Sequence, residues 1–204
     1  MTRRGLLLIA VGALLTTGCG YNTIQSLDER AAGAQGQIEA QLQRRADLIP
    51  NLVATVKGYA QHEEQVFSDI ANARAGLLNS VRSGDPEQMA NANAQFGNAL
   101  GRLLVIAEAY PNLKANEGFL NLQTQLEGTE NRIAVARQDY NTAVREYNEY
   151  IRRFPANLTA KLTGARPRKY FTATTAAQEP PKVDFGQPAA PSTTPPAGGA
   201  TKTP

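Results

Sequence analysis

The chain has 204 residues, a formal net charge of +3 at neutral pH, one cysteine, one histidine and no tryptophan. A lone cysteine cannot close an internal disulfide, and one Cys with one His cannot supply the ligands of a zinc site, so no metal or other cofactor is expected. Arg3 and Arg4 lie in a segment expected to be removed, which leaves the rest near +1 without the basic face that nucleic-acid binding needs, so no nucleic-acid partner is expected.

Met1 to Arg4 is short and basic, Gly5 to Leu15 is almost wholly apolar, and Thr16-Thr17-Gly18-Cys19 follows. That is the layout of an export signal with a small-residue cleavage site. Its apolar part falls short of the roughly 20 residues that a spanning helix needs. The ending resembles a bacterial lipobox, which implies cleavage between Gly18 and Cys19 and lipid on Cys19. More than one acyl chain gives stable anchoring. Thr16 departs from the Leu usual three places before the cysteine, so a plain cleaved signal and a short retained anchor stay open. Gly20 follows the cysteine where an inner-membrane retention signal has Asp, which favours the outer membrane over the inner, on the periplasmic face.

From Tyr21 the pattern becomes helical. Ile24, Leu27, Ala31, Ala34, Ile38, Leu42, Arg45, Ile49, Leu52, Val56 and Tyr59 recur in alternating steps of three and four, which is a heptad seam. Two shorter helices follow. The first runs from about His62 to Val81 with Val66, Ile70, Ala73 and Leu77 on one face. The second is capped by Asp85, has Pro86 at its first position and Gln88 for a box-like start, and ends at Pro111. It carries Met89, Phe96, Leu100, Leu103 and Tyr110. The short link to Ala115 makes its neighbours antiparallel. A second seam runs through Phe119, Leu122, Leu126, Thr129, Ile133, Ala136, Tyr140, Val144, Tyr147, Ile151 and Phe154, where Pro155 stops it. No clear period continues to Phe171, and the Ala/Thr/Pro/Gly-rich remainder has too little apolar surface to offset its chain entropy. Tyr-Asn occurs three times, at Tyr21-Asn22, Tyr140-Asn141 and Tyr147-Asn148.

These elements define an all-α fold, an elongated antiparallel four-helix bundle. The expected division is a signal over 1–18, the bundle over 19–171 and a disordered tail over 172–204.

Arg45 falls on the first seam, where a charge is costly unless paired. With the long helices antiparallel and their ends aligned, it comes one turn from Glu130, which predicts a register-fixing Arg45–Glu130 pair. Pro50 interrupts the same helix and should kink it. The alternative use of that region is a binding notch beside the kink.

Several stretches carry a family resemblance. Arg44-Arg45-Ala46-Asp47-Leu48-Ile49-Pro50-Asn51-Leu52-Val53 leads, followed by Val56-Lys57-Gly58-Tyr59-Ala60 and His62-Glu63. Ala109-Tyr110-Pro111-Asn112-Leu113-Lys114-Ala115-Asn116, Leu126-Glu127-Gly128-Thr129-Glu130-Asn131-Arg132-Ile133 and Phe154-Pro155 follow in order. Over about Tyr21 to Phe171 the chain resembles the LemA family. The resemblance implies an antiparallel helical bundle, an N-terminal membrane anchor and no established enzymatic activity. Family members often carry a true transmembrane helix, and the shorter segment ending in Cys19 departs from that form.

His62, beside Glu63 and Glu64, is the one candidate for proton transfer. No nucleophile is arranged around it, and a surface or capping role is favoured. Arg166, Arg168 and Lys169, with Tyr170 and Phe171, form a basic-aromatic cluster suited to anionic head groups at a membrane surface. A solvated loop is the alternative. The expected function is therefore a non-enzymatic, membrane-anchored envelope lipoprotein with a structural, scaffolding or membrane-organising role. Its expected partners are the membrane, through Cys19, and an envelope protein. The competing readings are a binding module at Pro50 and an enzyme using His62.

Overall fold

The structure is a computed structural model that describes residues 3–172, with side chains from residue 20 onward. The Cys19 side chain and the tail beyond Thr172 lie outside the described residues, and the expected cleavage site between Gly18 and Cys19 falls within a continuous helical backbone.

The fold is all-α. Its elements are α1 (Arg3–Lys57), α2 (Glu64–Ser83), α3 (Pro86–Ala109), α4 (Pro111–Lys114), α5 (Glu117–Tyr150) and α6 (Ala156–Thr163). Among the described residues, no helix is long and apolar enough to cross a membrane.

The rod is built on the pairing of α1 with α5. Cross-contacts fix an even antiparallel register: Arg30 meets Glu146, Arg45 meets Glu130, and Tyr59 meets Asn116. The seam residues face one another in the core, among them Ile38, Leu42, Leu52, Val56, Leu126, Ile133, Tyr140 and Val144. α2 and α3 form a hairpin that packs on the half of α1 farther from Gly20. Their junction follows from local chemistry. Gly84 takes the left-handed conformation (φ +66°) that a side chain disfavours, and its N–H closes α2 on Val81 O. The Asp85 carboxylate accepts from the Glu87 and Gln88 N–H groups. The box-like reciprocal bond to Gln88 is replaced, because the Asp85 N–H donates to Ser83 Oγ at 3.3 Å.

The structure departs from the sequence pattern at three places. Tyr59 is exposed and Ala60 is buried, because α1 ends at Lys57 and the chain turns. The link after Tyr110 forms one helical turn, α4, that buries Leu113. The second seam stops short: α5 ends at Tyr150, and Phe154 is 80% exposed instead of buried. A residue before proline is pushed out of the helical region, so the chain turns ahead of Pro155. The stretch without a clear period then supplies α6 and a segment that returns along the rod.

The core has two separate parts. A large cluster extends from Ala31 to Phe119. A small one, Ile24, Tyr147, Ile151 and Ala160, closes the end near Gly20.

Candidate functional site

Arg45 is the most enclosed charge in the large core, at 6% exposure. Its Nη1 lies 2.6 Å from Glu130 Oε2 and donates to Asn93 Oδ1 at 2.7 Å. Its guanidinium sits 5.0 Å from the centre of the Phe96 ring. Burial pushes its pKa down, and the Glu130 charge works against that fall. A guanidinium stays charged in any event, so the cluster joins α1, α3 and α5 and offers no proton. Asn93 is the partner that the sequence reading missed. Its signal was its place between Met89 and Phe96 on the apolar stripe of α3.

Pro50 lies inside α1 and cannot donate to the carbonyl four residues back. That carbonyl, Ala46 O, accepts from Arg74 Nε of α2 at 2.8 Å. The defect in one helix thereby becomes a link to the next. Beside it lies a groove of about 640 Å³, lined by Pro50, Val53, Lys57, Glu64, Phe67 and Arg74 among others. Lys57 Nζ stands 5.2 Å from the centre of the Phe67 ring, at one side of the groove. His62 is exposed in the turn before α2.

The basic-aromatic cluster is drawn into the fold and divided. Asn148 grips one residue of the returning segment by both of its backbone groups: Asn148 Nδ2 donates to Arg168 O at 2.9 Å, and Arg168 N–H donates to Asn148 Oδ1 at 2.8 Å. Asn141 does the same to Phe171, at 3.2 and 2.8 Å. The Tyr140 hydroxyl donates to Lys169 O at 2.8 Å. The spacing explains the fit. Residues seven apart on a helix are separated by about 10.5 Å, and three extended residues span about 10 Å. The segment is thus a strap held by Tyr140 and by the two asparagines seven residues apart, Asn141 and Asn148.

Side chains secure the strap further. Arg168 Nε lies 2.7 Å from Asp28 Oδ1, and this hydrogen bond raises the Arg168 pKa. Lys169 Nζ lies 2.7 Å from Asp85 Oδ2. Phe171 is buried beneath the guanidinium of Arg137, 5.3 Å from the ring centre. Burial raises the pKa values of Tyr140 and Tyr147. Arg166 is exposed and, alone of the three basic residues, makes no ion pair among the described residues.

The LemA family profile matches residues 34–185. The chain is 30% identical over 187 residues to Magnetosome protein MamQ 2 of Paramagnetospirillum magneticum, covering 80% of this chain and 69% of that protein. Magnetosome protein MamQ of Magnetospirillum gryphiswaldense is 28% identical over 174 residues, covering 74% and 64%. Protein LemA of Metamycoplasma hominis is 26% identical over 156 residues, covering 72% and 70%. The chain belongs to the LemA family.

Proposed function

We propose that this LemA family protein is a non-enzymatic lipoprotein of the cell envelope. Lipid on Cys19 holds it to the periplasmic face of a membrane, with the outer membrane preferred, and its rod serves a structural or membrane-organising role. The observation that carries this reading is the apolar run Gly5 to Leu15 followed by Thr16-Thr17-Gly18-Cys19, two residues before the helical pattern of the rod begins at Tyr21. The tether would therefore reach the bundle with almost no linker. Likeness to proteins named magnetosome proteins supports a membrane-associated setting. The exposure of His62 in the turn before α2 supports a surface role for that residue.

Mass spectrometry of the mature protein extracted from membranes tests the anchor. The expected N-terminus is Cys19 carrying acyl chains. An unmodified Cys19, or a chain that retains Met1, overturns the lipoprotein reading.

The groove beside Pro50 favours a second use, docking an envelope protein or a small ligand. Val53→Arg would obstruct it. Capture from crosslinked envelopes should then lose a partner that the wild type retains, and identical captured sets would remove the groove from consideration.

A further inference from the structure

α6 is built inside out for a surface helix. Its buried residues are small, Ala156, Thr159 and Ala160, while its large apolar residues face away from the rod. Leu158 is 58% exposed and Leu162 is 84% exposed, one turn farther along the same face. Phe154 stands four residues before Leu158, in the turn that enters the helix, and is more exposed than Leu158. Leu158 and Leu162 make one stripe on α6, and with the exposed Phe154 in the turn that enters the helix they form a patch of the kind that marks an interaction surface. The small residues explain its orientation. They let α6 lie close against α1, where a β-carbon on Gly20 would stand 3.3 Å from Thr159 Oγ1.

The charge around the stripe is predominantly basic. Tyr150 to Pro167 contains Arg152, Arg153, Lys161 and Arg166 and no Asp or Glu, and α1 has no carboxylate before Asp28. Arg153 pairs with Glu149. Arg152, Lys161 and Arg166 make no ion pair among the described residues. Tyr21 is also exposed at this end. The opposite end, around the Tyr59–Asn116 contact, carries Glu63, Glu64, Glu108 and Glu117 against Lys57 and Lys114. Position along the chain adds continuity. α6 packs where α1 passes from the rod into the segment that contains the apolar run.

We propose that α6 docks on an anionic lipid surface, with Phe154, Leu158 and Leu162 in the interface and Arg152, Lys161 and Arg166 against the head groups. The idea rests on the membrane-anchored reading and adds a second contact to it. A single tether leaves a rod free to swivel, whereas a tether beside a docked helix sets its angle to the bilayer. An apolar stripe bordered by Lys and Arg is what such a surface takes up.

The absence of tryptophan allows a clean test. Leu158→Trp and, as a distant control, Val105→Trp on α3 each install a single fluorophore at an exposed site of the full chain. Each protein, with its N-terminus as the cell processes it, is reconstituted into vesicles of phosphatidylcholine and phosphatidylglycerol carrying brominated acyl chains. The Leu158→Trp fluorophore should be quenched at least about threefold more strongly than the control, as interfacial burial requires. Arg152→Gln with Lys161→Gln and Arg166→Gln should bring that quenching down to its value in phosphatidylcholine alone.

Protein that floats with the vesicles while the two fluorophores are quenched alike overturns the docking and leaves the anchor standing. Strong quenching with an unmodified Cys19 supports docking and overturns the lipid tether. Failure to float defeats both. A blue shift at Leu158→Trp that grows with protein concentration, without lipid quenching, assigns the stripe to a second copy and overturns the proposal. Quenching equal with and without phosphatidylglycerol overturns the role of the basic residues.

Discussion

The two ends of this rod are closed by different means. The end beyond Gln35 is a four-helix bundle whose core holds Leu42, Leu52, Leu77, Met89, Phe96 and Leu103, each with no exposed surface. The end near Gly20 has only α1, α5 and α6 around Ile24, Tyr147, Ile151 and Ala160. Between the two cores runs a polar belt: Arg30 with Glu146, Asp28 with Arg168, and Asn148 with the strap peptide. The first end is held by apolar area, which is non-directional and large. The second relies on hydrogen bonds of modest net value and exact geometry. The first should therefore behave as the stable unit, and the second as the part that can loosen without unfolding the rod.

The largest expected effect breaks the first end. Leu103→Ala removes a fully buried side chain, and such a change costs about 2–5 kcal/mol. Ile151→Ala at the other end should cost less, because its cluster is small and can collapse around the gap. Urea denaturation of the two variants measures the difference. Equal losses would mean that the two cores unfold as one, and the comparison would fail.

The next effect lies inside the stable half. Asn93→Ala deprives the buried Arg45 guanidinium of one partner while leaving Glu130 in place, and the cost should be about 1–3 kcal/mol. Arg45→Met with Asn93→Leu removes both members of the buried polar pair and leaves the half-exposed Glu130 to water. Replacing a whole buried polar group by apolar residues is often neutral or stabilising, so this double variant should be more stable than Asn93→Ala. The opposite order would show that the pair contributes net stability beyond its register role.

The seams made the paired rods legible, because a period of three and four residues is the direct imprint of one helix on another. Aligning them brought Arg45 opposite Glu130. The strap was not legible, because nothing periodic marks Arg166 to Phe171. Its receptors were visible, however, as Tyr-Asn pairs seven residues apart at Tyr140-Asn141 and Tyr147-Asn148. Their meaning needed the third dimension, since one asparagine amide can serve both backbone groups of a residue only when that residue lies alongside. α6 was hidden for a related reason. Its inward face is Ala and Thr, so the usual rule that large apolar side chains point inward gives the wrong face.

The strap supplies the third prediction. Asn148→Ala removes two bonds to Arg168, and Asn141→Ala two to Phe171. Each substitution should cost about 1–2 kcal/mol at a net value near 1 kcal/mol per bond. The sharper readout is hydrogen exchange. The amides of Arg168 and Phe171 should exchange faster in these variants while the amides of α3 stay protected. Protection lost equally in α3 would merge the two ends into one cooperative unit.

The smallest effect concerns the strap contact at the junction of the α2–α3 hairpin, Lys169 with Asp85 at 2.7 Å and with Glu87 at 3.9 Å. The Lys169 ammonium, followed by the Gln88 and Glu87 N–H groups, holds the Asp85 carboxyl below its usual value. Asp85 in turn raises the Lys169 pKa. A depressed acid stabilises the fold fully above its unfolded value, and that stability is lost as pH falls through the folded value. A raised base stabilises fully below its unfolded value, and its share is lost as pH rises through the folded one. The stability gap between wild type and Lys169→Met should therefore be flat through neutral pH and close in acid, below the ordinary carboxylate range. The gap is small because the lysine lies open to solvent, and added salt should shrink it. Asp85→Asn separates the two roles of the aspartate. Asparagine caps a helix about as well, so α3 keeps its start while the larger, Asp85-borne part of the pH-dependent share disappears and the weaker Glu87 part stays. If the gap between wild type and Lys169→Met persists unchanged in acid, Lys169 contributes through packing alone, and the strap does not join the two ends by charge.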